Sequence, residues 1–327
     1  MDTFYGKKIS KEFIKLKFDH DTEFSYKKTT EKLAKLSNIK QNSCYICGGR
    51  KTKKEITFFD ITYLRCLKCS HVYADKRLSE EVLNKFYRDG KSSQGSAYSN
   101  KKMLKLREEI IRPKIQFIKK FAKGKNWLDV GSADGSTITI GNDEGFKTQG
   151  IEISKEARIF AKKFRNIDLY PKSLESFQQD NDKKLDVISY FGVLEHLSLP
   201  IQSLKISHDL LSKNGIIAVE APNYDSISTS VQKLSTVFDR HLVPHTHIML
   251  FTLKSLKFAL RKAGFKPIAT WVWGMDVIEL LKYVNRLDKK FGKSELSMIL
   301  YNKINELQAI FDKENKGDSI LVVAKKI

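Results

Sequence analysis

The chain has 327 residues, of which 41% are hydrophobic, and it carries a formal net charge of +21 at pH 7. This length and apolar content fit one full α/β domain with a small appended module. No apolar run reaches the roughly 18 residues of a membrane span. Because the first ten residues also lack the apolar stretch of a signal peptide, a cytoplasmic protein is expected.

The positive charge is concentrated on the amino-terminal side of the chain. Residues 1–125 carry a net charge of +17, and residues 126–327 carry +4. Such an excess favours a phosphate-bearing partner, either a small substrate or a nucleic acid. The cations are mostly lysine, whereas bidentate phosphate recognition favours arginine. Compositional bias with no partner at all is therefore an equal alternative.

The first predicted elements are a basic arm or helix over residues 1–40 and a metal module over residues 41–80. The chain's cysteines form two C-x2-C pairs with 18 residues between them. This spacing is typical of a zinc ribbon, in which four thiolates complete a tetrahedral site and make the metal structural. Two disulfides would need an oxidising compartment. The predicted zinc ligands are Cys44, Cys47, Cys66 and Cys69.

Other residues of the ribbon have two interpretations each. His71 follows the second cysteine pair and could replace a ligand, although we expect it beside the site or at the surface. The aromatic residues around the ribbon could stack on nucleic-acid bases, but packing is the favoured interpretation. They are Phe58, Phe59, Tyr63 and Tyr73. After the ribbon, residues 81–104 are predicted to form a linker or lid, because Asp89 to Asn100 is rich in glycine and serine.

The main domain, residues 105–327, begins with a buried strand that breaks into a glycine-bearing turn. The run 127–136 reads WLDVGSADGS, and Gly131 and Gly135 let the backbone approach a ligand closely. A second strand, 147–153, carries Glu152 about 20 residues past the turn, where a carboxylate accepts hydrogen bonds from ribose hydroxyls in doubly wound folds. The pattern predicts a nucleotide-type site. An ordinary turn without a ligand is the alternative.

The fourth predicted strand, 185–191, is an apolar run typical of a strand covered on both faces. It is followed by Glu195 and His196, which we expect to face the site because ligands bind at the carboxyl ends of such strands. His196 is a candidate general base, since an imidazole has a pKa near working pH. A helix-terminal acid and a merely hydrogen-bonded histidine are an equal alternative.

The rest of the chain completes the predicted sheet. Further strands are expected at 216–220, 266–273 and 319–324, with an amphipathic helix at 252–263. One or two long helices over 278–312 form an insertion, about 275–315, for packing or dimer contact. Three histidines lie in a loop between the fifth strand and the following helix. They are His241, His245 and His247.

The strings LDVGSADG, GIEIS, LDVISYFGVLEHL, LLSKNGIIAVEAPN and HIMLFTLKSLKFALRKAGF together resemble the class I S-adenosylmethionine-dependent methyltransferases, over roughly residues 105–327. The resemblance implies an α/β fold with a doubly wound, Rossmann-like seven-stranded sheet and a loop over the acceptor pocket at 222–250. S-adenosylmethionine is the implied methyl donor, and His196, His247 and Glu195 are the implied catalytic residues. The implied cofactor-binding residues are Asp129, Gly131, Ser132, Gly135, Glu152, Ile153, Ser173, Leu174 and Phe191.

Two narrower resemblances bear on metal and acceptor. The ubiquinone-pathway O-methyltransferases and the small-RNA 3'-terminal methyltransferases place a similar Glu-His pair, which suggests a second divalent metal on Glu195, His196 and His247. Those families carry a further glutamate where this chain has Gly192, which disfavours that metal. The amino-terminal ribbon resembles that of bacterial enzymes of sugar, polysaccharide and secondary-metabolite clusters. We therefore predict methyl transfer to a small anionic acceptor at oxygen, nitrogen or carbon. The alternative is an RNA methyltransferase docked through the basic ribbon, and a homodimer is possible in either case.

Overall fold

The structure is a computed structural model that describes residues 1–19, 32–88, 101–234 and 241–327. Its strands are β1 (Asp2–Tyr5), β2 (Ile39–Lys40), β3 (Thr52–Phe58), β4 (Ile61–Cys66), β5 (Val72–Ala74), β6 (Lys76–Arg77), β7 (Asn126–Val130), β8 (Lys147–Ile151), β9 (Leu185–Phe191), β10 (Leu211–Pro222), β11 (Met249–Leu250), β12 (Phe265–Trp273) and β13 (Ser319–Lys326). Its helices are α1 (Lys11–Asp19), α2 (Glu80–Arg88), α3 (Lys101–Lys119), α4 (Ser136–Asp143), α5 (Lys155–Arg165), α6 (Leu174–Asp180), α7 (Pro200–Leu210), α8 (Ile227–Leu234), α9 (Leu253–Lys262), α10 (Asp276–Leu287), α11 (Glu295–Asn302) and α12 (Ile304–Lys313).

The described chain divides into two compact units. Unit 1 comprises Met1–Arg77, Ala221–Leu256 and Ala269–Leu321. Unit 2 comprises Leu78–Glu220, Lys257–Ile268 and Val322–Ile327. The predicted domain boundaries at residues 40, 80 and 104 stay a prediction, and the predicted loop from Asp89 to Asn100 lies outside the described residues. No helix in the described ranges is both long and apolar enough to cross a membrane.

The predicted α/β fold is confirmed by a seven-stranded sheet with the order β1-β12-β13-β10-β9-β7-β8. Strand β7 pairs in parallel with β8 on one side and with β9 on the other. The chain thus moves outward to β8 and then returns across β7 to β9. This reversal of strand order creates a crevice at the carboxyl ends of β7 and β9, where α/β sheets bind ligands.

One edge of this sheet differs from the expected arrangement. Beyond β8, the sheet continues only as a single parallel bridge between Ile151 and Tyr170. The seventh strand is instead β1, which pairs in parallel with β12 from Asp2–Ala269 to Tyr5–Val272. The segment predicted as an arm or helix therefore contributes a strand before α1. The indole of Trp271 secures the turn after β1 by donating to the carbonyl of Gly6 at 2.9 Å.

A second, four-stranded sheet lies in unit 1 and has the order β11-β5-β4-β3 with antiparallel pairing throughout. We call it the cysteine sheet, because β4 ends at Cys66 and β5 begins shortly after Cys69. Its hydrophobic core combines ribbon residues with later parts of the chain, namely Ala34, Phe58, Ile61, Tyr63, Val72, Ala74, Tyr224, Leu242 and Leu250. The predicted packing of Phe58, Tyr63 and Tyr73 is confirmed, since all three are buried.

The insertion contains three short helices, α10 to α12, and the expected one or two long helices are wrong. The chain turns after α10, where the carboxylate of Asp288 accepts a hydrogen bond from the amide of Lys290 at 2.8 Å. Several large apolar side chains on the insertion are exposed, namely Leu287, Leu296, Met298, Ile299 and Ile310. Their role in dimer contact stays a prediction.

Three aspartates are buried where the insertion meets β13: Asp276, Asp312 and Asp318. The amide of Gln308 donates to both Asp276 and Asp312 at 2.9 Å. Burial raises the pKa of Asp312 to about 7, and the neighbouring carboxylates add to this shift. Between pH 3.8 and about 7, Asp312 therefore keeps its proton in the folded chain, whereas it has lost this proton in the unfolded chain.

We expect the free energy of unfolding to fall as the pH rises from 3.8 to about 7, because the ionised Asp312 is disfavoured in the folded chain throughout this window. The variant Asp312→Asn removes the charge and keeps an acceptor for Gln308, so it should raise stability at pH 8 by roughly 1 to 2 kcal/mol. Urea unfolding at pH 5 and pH 8 measures both effects. The exposed Asp182→Asn is the control, and an unchanged pH slope in Asp312→Asn would contradict the assignment.

Candidate functional site

The candidate site begins where β7 and β9 end side by side in unit 2. Val130 and Tyr190 are paired in register, so both strands reach their carboxyl ends at the same level. Gly131 follows β7 and Gly192 follows β9, each with a positive φ, at +71° and +70° respectively. Both strands therefore break into turns at one edge of the sheet, as the sequence predicted.

The turn after β7 adopts left-handed backbone at Gly131, Ala133 and Gly135, with φ values of +71°, +48° and +73°. Ala133 occupies a conformation that side-chain-bearing residues rarely adopt, which marks local strain. A Cβ atom on Gly131 would lie 2.6 Å from Cγ2 of Val193. The turn therefore packs closely against the segment that follows β9, and Gly131 is required by this packing as well as by its φ.

Asp129, at the end of β7, is buried and hydrogen-bonded within the turn. Ser189 of β9 donates its hydroxyl to the Asp129 carboxylate and receives a hydrogen bond from the indole of Trp127 at 2.7 Å. The hydroxyl of Ser132 donates to the Asp129 carbonyl at 2.9 Å. Burial raises the pKa of Asp129 to about 7. These contacts stabilise the turn, and the predicted cofactor contacts of Asp129 and Ser132 stay predictions.

Glu152 follows β8 and contacts the same turn. One carboxylate oxygen accepts from the amide of Ala133 at 2.9 Å and the other from the amide of Ser154 at 2.7 Å. Burial raises the pKa of Glu152 above its ordinary value. A carboxylate has about four acceptor positions, so acceptor capacity remains for ligand hydroxyls. The carbonyl of Ile153 accepts from Arg158 at 2.8 Å, which holds this residue in place.

The remaining predicted cofactor residues have local structural contacts. Ser173 is the N-cap of α6, where its hydroxyl accepts from the amide of Ser176 at 3.3 Å. Leu174, the first residue of that helix, is buried. Phe191 ends β9, and the ammonium group of Lys114 lies 5.3 Å from its ring centroid. Binding of adenine near these residues stays a prediction.

Glu195 lies in the short 3-10 helix Leu194–His196 and is 2% exposed. Among the described residues, its Oε2 atom has no hydrogen-bond partner. Burial raises the pKa of Glu195 to about 8, and the negative charge of Glu220 adds to the shift. Glu220 is itself buried and ion-paired with Lys114. The site therefore contains a carboxyl group that is neutral at pH 7 and can donate a hydrogen bond.

His196 is hydrogen-bonded to a residue that the sequence did not indicate. The hydroxyl of Tyr87, on α2, lies 2.9 Å from Nδ1 of His196, and the two rings meet edge to face. The same helix provides Glu80, which accepts from the hydroxyl of Ser198 at 2.9 Å. Tyr87 and His196 are 109 residues apart along the chain, so no local pattern could have paired them.

His247 belongs to unit 1. Its Nδ1 donates to the carbonyl of His241 at 2.7 Å, which leaves Nε2 unprotonated in the neutral imidazole. Tyr63 donates its hydroxyl to the carbonyl of His247 at 2.8 Å. The other loop histidines are more buried: His241 lies 3.6 Å from Asp318, and His245 is 1% exposed. Of the three residues predicted to hold a second metal, Glu195 and His196 belong to unit 2, and that set stays a prediction.

Sequence reasoning also missed the structural role of Asp134, in the middle of the glycine turn. It is buried between Arg107 at 3.4 Å and Arg165 at 3.3 Å, and it accepts from the hydroxyl of Ser136 at 2.6 Å. Although burial opposes ionisation, these cations lower the pKa of Asp134 below its ordinary value. Asp134 therefore fixes the turn to α3 and α5. The sequence signal that could have indicated this role is the acidic residue between Ala133 and Gly135.

The four cysteines gather in unit 1, with every sulfur within 4.8 Å of the others. The sulfurs of Cys44 and Cys69 are 3.5 Å apart, and those of Cys47 and Cys66 are 3.4 Å apart. These distances exceed the roughly 2 Å of a disulfide and approach the separation set by zinc–sulfur bonds of about 2.3 Å. The pKa of Cys44 is lowered to about 6 because the thiol of Cys69 donates to it. The donor set fits a tetrahedral metal.

The two C-x2-C segments have the same backbone geometry. In each, the residue after the second cysteine is left-handed and its amide donates to the first cysteine's carbonyl at 2.9 Å: Gly48 to Cys44, and Ser70 to Cys66. The amide of the first cysteine in turn donates to the carbonyl of the residue after the left-handed one: Cys44 to Gly49, and Cys66 to His71. Two such turns present their sulfurs to one point. His71 is buried beside them, which agrees with the first of the two expected positions, beside the site, and not with the surface position.

A family model described as a methyltransferase domain matches residues 103–270. The chain belongs to this methyltransferase family. Its methyl donor is S-adenosylmethionine. The match covers the glycine turn, Glu152, β9 and the segment that carries Glu195 and His196. No curated protein matches this methyltransferase.

Several solved structures are similar to this methyltransferase. A SAM-dependent methyltransferase from Archaeoglobus fulgidus has 18% identity and a TM-score of 0.46, with 67% of this chain and 94% of that chain covered. A possible histamine N-methyltransferase from Thermotoga maritima has 14% identity and a TM-score of 0.48, with 76% and 100% covered. Magnesium protoporphyrin IX methyltransferase from Synechocystis PCC 6803 has 12% identity and a TM-score of 0.49, with 76% and 100% covered.

Proposed function

We propose that this methyltransferase modifies a small, anionic acceptor such as a nucleotide-linked sugar or a polysaccharide or metabolite precursor. The observation that carries the proposal is the burial of two of the ribbon's aromatic residues, Tyr63 and Tyr73. Tyr63 is 0% exposed and Tyr73 is 1% exposed, so neither ring is available to stack on bases. Sequence-tolerant binding of single-stranded RNA depends on such stacking.

Charge pairing in unit 1 supports the same choice. Arg65 donates to Glu55 at 2.8 Å and to Asp225 at 2.9 Å, and its guanidinium lies 5.0 Å from the ring centroid of Tyr224. Lys76 is paired with Asp60 at 2.6 Å. Cations that neutralise nearby carboxylates contribute less to phosphate binding.

The residues of the site have distinct proposed roles. When bound, S-adenosylmethionine supplies an electrophilic methyl group on a sulfonium. Glu152 accepts hydrogen bonds from the ribose hydroxyls, and the glycine turn leaves room for the ligand at the backbone. His196, oriented by Tyr87, removes the proton that the acceptor loses, and Glu195 donates a hydrogen bond to an acceptor oxygen. Orientation of the acceptor provides much of the rate enhancement. His247 is the alternative base.

Incorporation of a labelled methyl group tests the acceptor class. Purified protein and labelled S-adenosylmethionine are incubated with an extract of the source cells, which is then separated into acid-soluble molecules and RNase-sensitive polymer. We expect the label among small anionic molecules. Label in the RNase-sensitive fraction would replace the proposal with an RNA methyltransferase docked through its ribbon. A His196→Ala protein run in parallel identifies background transfer by other enzymes.

We also propose that Cys44, Cys47, Cys66 and Cys69 hold one structural zinc ion. The matched geometry of the two cysteine turns supports this assignment. Cys66→Ser should release the metal, because a hydroxyl is a poor replacement for a zinc-bound thiolate. Elemental analysis of the purified chains measures the loss. Ser70→Gly is the control, since glycine suits the left-handed backbone there and should retain the metal; equal zinc contents in both variants would refute the ligand set.

A further inference from the structure

The loop that carries His247 is built onto the cysteine sheet. We call residues 241–250 the histidine loop. Its last two residues form β11, which pairs with β5 through Met249–Tyr73 and Leu250–Val72. The amide of Ala74 also donates to the carbonyl of Ile248 at 2.9 Å. The end of the loop is therefore a strand of the sheet whose other strands flank the cysteines.

A hydrogen bond from a fully buried tyrosine links His247 directly to this sheet. Tyr63 lies on β4, three residues before Cys66, and its hydroxyl donates to the carbonyl of His247 at 2.8 Å. Tyr63 is fully buried, so water cannot replace this bond. Loss of the donor would leave the partly buried carbonyl of His247 without this hydrogen bond.

The second cysteine turn also continues into contacts just beyond the loop. The carbonyl of His71 accepts from the amide of Cys66 at 2.8 Å. The His71 ring lies 4.8 Å from that of Phe251, and its Nδ1 is 3.4 Å from the hydroxyl of Ser255. The backbone of the cysteine turn and the chain after the histidine loop are thus joined through one buried side chain.

The chain before the loop is attached to β3, the edge strand opposite β11 in the same sheet. The hydroxyl of Tyr224 donates to Glu55 of β3 at 2.9 Å, and Leu242 belongs to the core of the cysteine sheet. The histidine loop is therefore held at its beginning and at its end. Both attachments depend on strands whose relative positions the cysteine turns constrain.

We infer that metal binding by the four cysteines orders the histidine loop, and that Tyr63 is the positioning residue that transmits this order to His247. Metal binding to such sites is coupled to the folding of the strands that carry the ligands. The four sulfurs lie within 4.8 Å of one another, so one metal ion could bond them all and constrain the connection from β4 to β5. Removal of the metal removes this constraint. Strand β11 and the Tyr63 hydrogen bond then lose their support. This inference rests on the proposed zinc site.

Hydrogen exchange of the full chain, monitored by mass spectrometry, tests the coupling. We compare zinc-loaded protein with protein treated with a chelator, and elemental analysis records the metal content of each. Exchange in residues 241–250 should accelerate by about tenfold or more on zinc removal. Exchange in β9, residues 185–191, should stay slow and shows that the rest of the chain is folded. Unchanged exchange in the loop after verified zinc loss would overturn the inference and leave the zinc proposal intact.

A second variant tests Tyr63 without disturbing the cysteines. Tyr63→Phe should retain zinc, accelerate exchange at 246–250 several-fold and lower kcat more than it changes the KM for S-adenosylmethionine. Thr57→Val removes an exposed hydroxyl from the same sheet, where Thr57 bonds Thr62 at 3.0 Å, and should change none of these. Equal exchange in Tyr63→Phe and wild-type protein would overturn the role of Tyr63. Protein purified without any bound metal would refute the inference together with the zinc proposal.

Discussion

Gly131→Ala is expected to weaken binding of S-adenosylhomocysteine by about 10- to 100-fold. A Cβ atom there would lie 2.6 Å from Val193 Cγ2, and the residue would keep a φ of +71°. Left-handed backbone costs a non-glycine residue roughly 1 to 2 kcal/mol, and overpacking adds about 1 to 3 kcal/mol. The turn would shift to relieve both, which moves the backbone that the ligand approaches. Isothermal titration calorimetry measures the affinity.

Two matched variants separate the causes. Gly145 has a φ of +90°, yet a Cβ atom there would meet nothing within 4 Å. Gly145→Ala should therefore lower stability slightly and leave cofactor affinity unchanged. In the double variant Gly131→Ala, Val193→Ala, removal of the crowding methyl groups should recover part of the lost affinity. Wild-type affinity in Gly131→Ala would show that this turn is not the cofactor site.

Glu195→Ala is expected to lower kcat by about 10- to 100-fold while cofactor affinity stays unchanged, because one positioned hydrogen-bond donor is lost. Glu195→Gln retains a donor and should keep most of the activity. The pH dependence follows from the pKa of about 8. The neutral form predominates below that value, so the wild-type rate should fall as the pH rises through about 8. This fall should be absent in Glu195→Gln.

Stability provides an independent measurement for the same residue. The pKa of Glu195 is raised from 4.5 to about 8 by burial, so its contribution to the free energy of unfolding falls as the pH rises through this window. Glu195→Gln should therefore be more stable than the wild type at pH 9. The exposed Glu156→Gln is the control. A wild-type rate that rises through pH 8 would instead indicate that Glu195 acts as a base, and our role for it would be wrong.

Several features could be predicted from sequence because their signals are local. The cysteine spacing indicated a four-sulfur cluster, and the cysteines are gathered as expected. The run around Gly131 predicted the turn after β7. Gly131 and Gly135 lie only four positions apart, and glycine favours the left-handed backbone that the turn adopts at both. The apolar run at 185–191 coincides with β9 for the same reason: a strand buried on both faces needs continuous apolar residues.

Other features escaped the sequence because they join distant segments. Nothing near Asp2–Tyr5 indicates that it pairs with β12, and nothing near Tyr170 indicates that it forms only a single bridge to Ile151. Packing was the favoured interpretation for Tyr63, and this side chain is buried. A preference for burial does not indicate which group its hydroxyl would bond, so the partner could not be predicted. The sequence also left two positions open for His71, since a histidine after a cysteine turn can face solvent or core, and the structure places it in the core.

The sequence by itself therefore determined the fold class, the glycine turn, the acidic residue after the second strand and the cysteine set, since each depends on periodicity or spacing within a short segment. The tertiary structure alone decided the partners of the candidate catalytic residues and of the charged residues near them. Tyr87 meets His196, Lys114 pairs with Glu220, and Tyr63 holds His247. These pairs form only when the backbone brings distant elements together, and burial of the Lys114–Glu220 pair then strengthens its attraction because water is excluded.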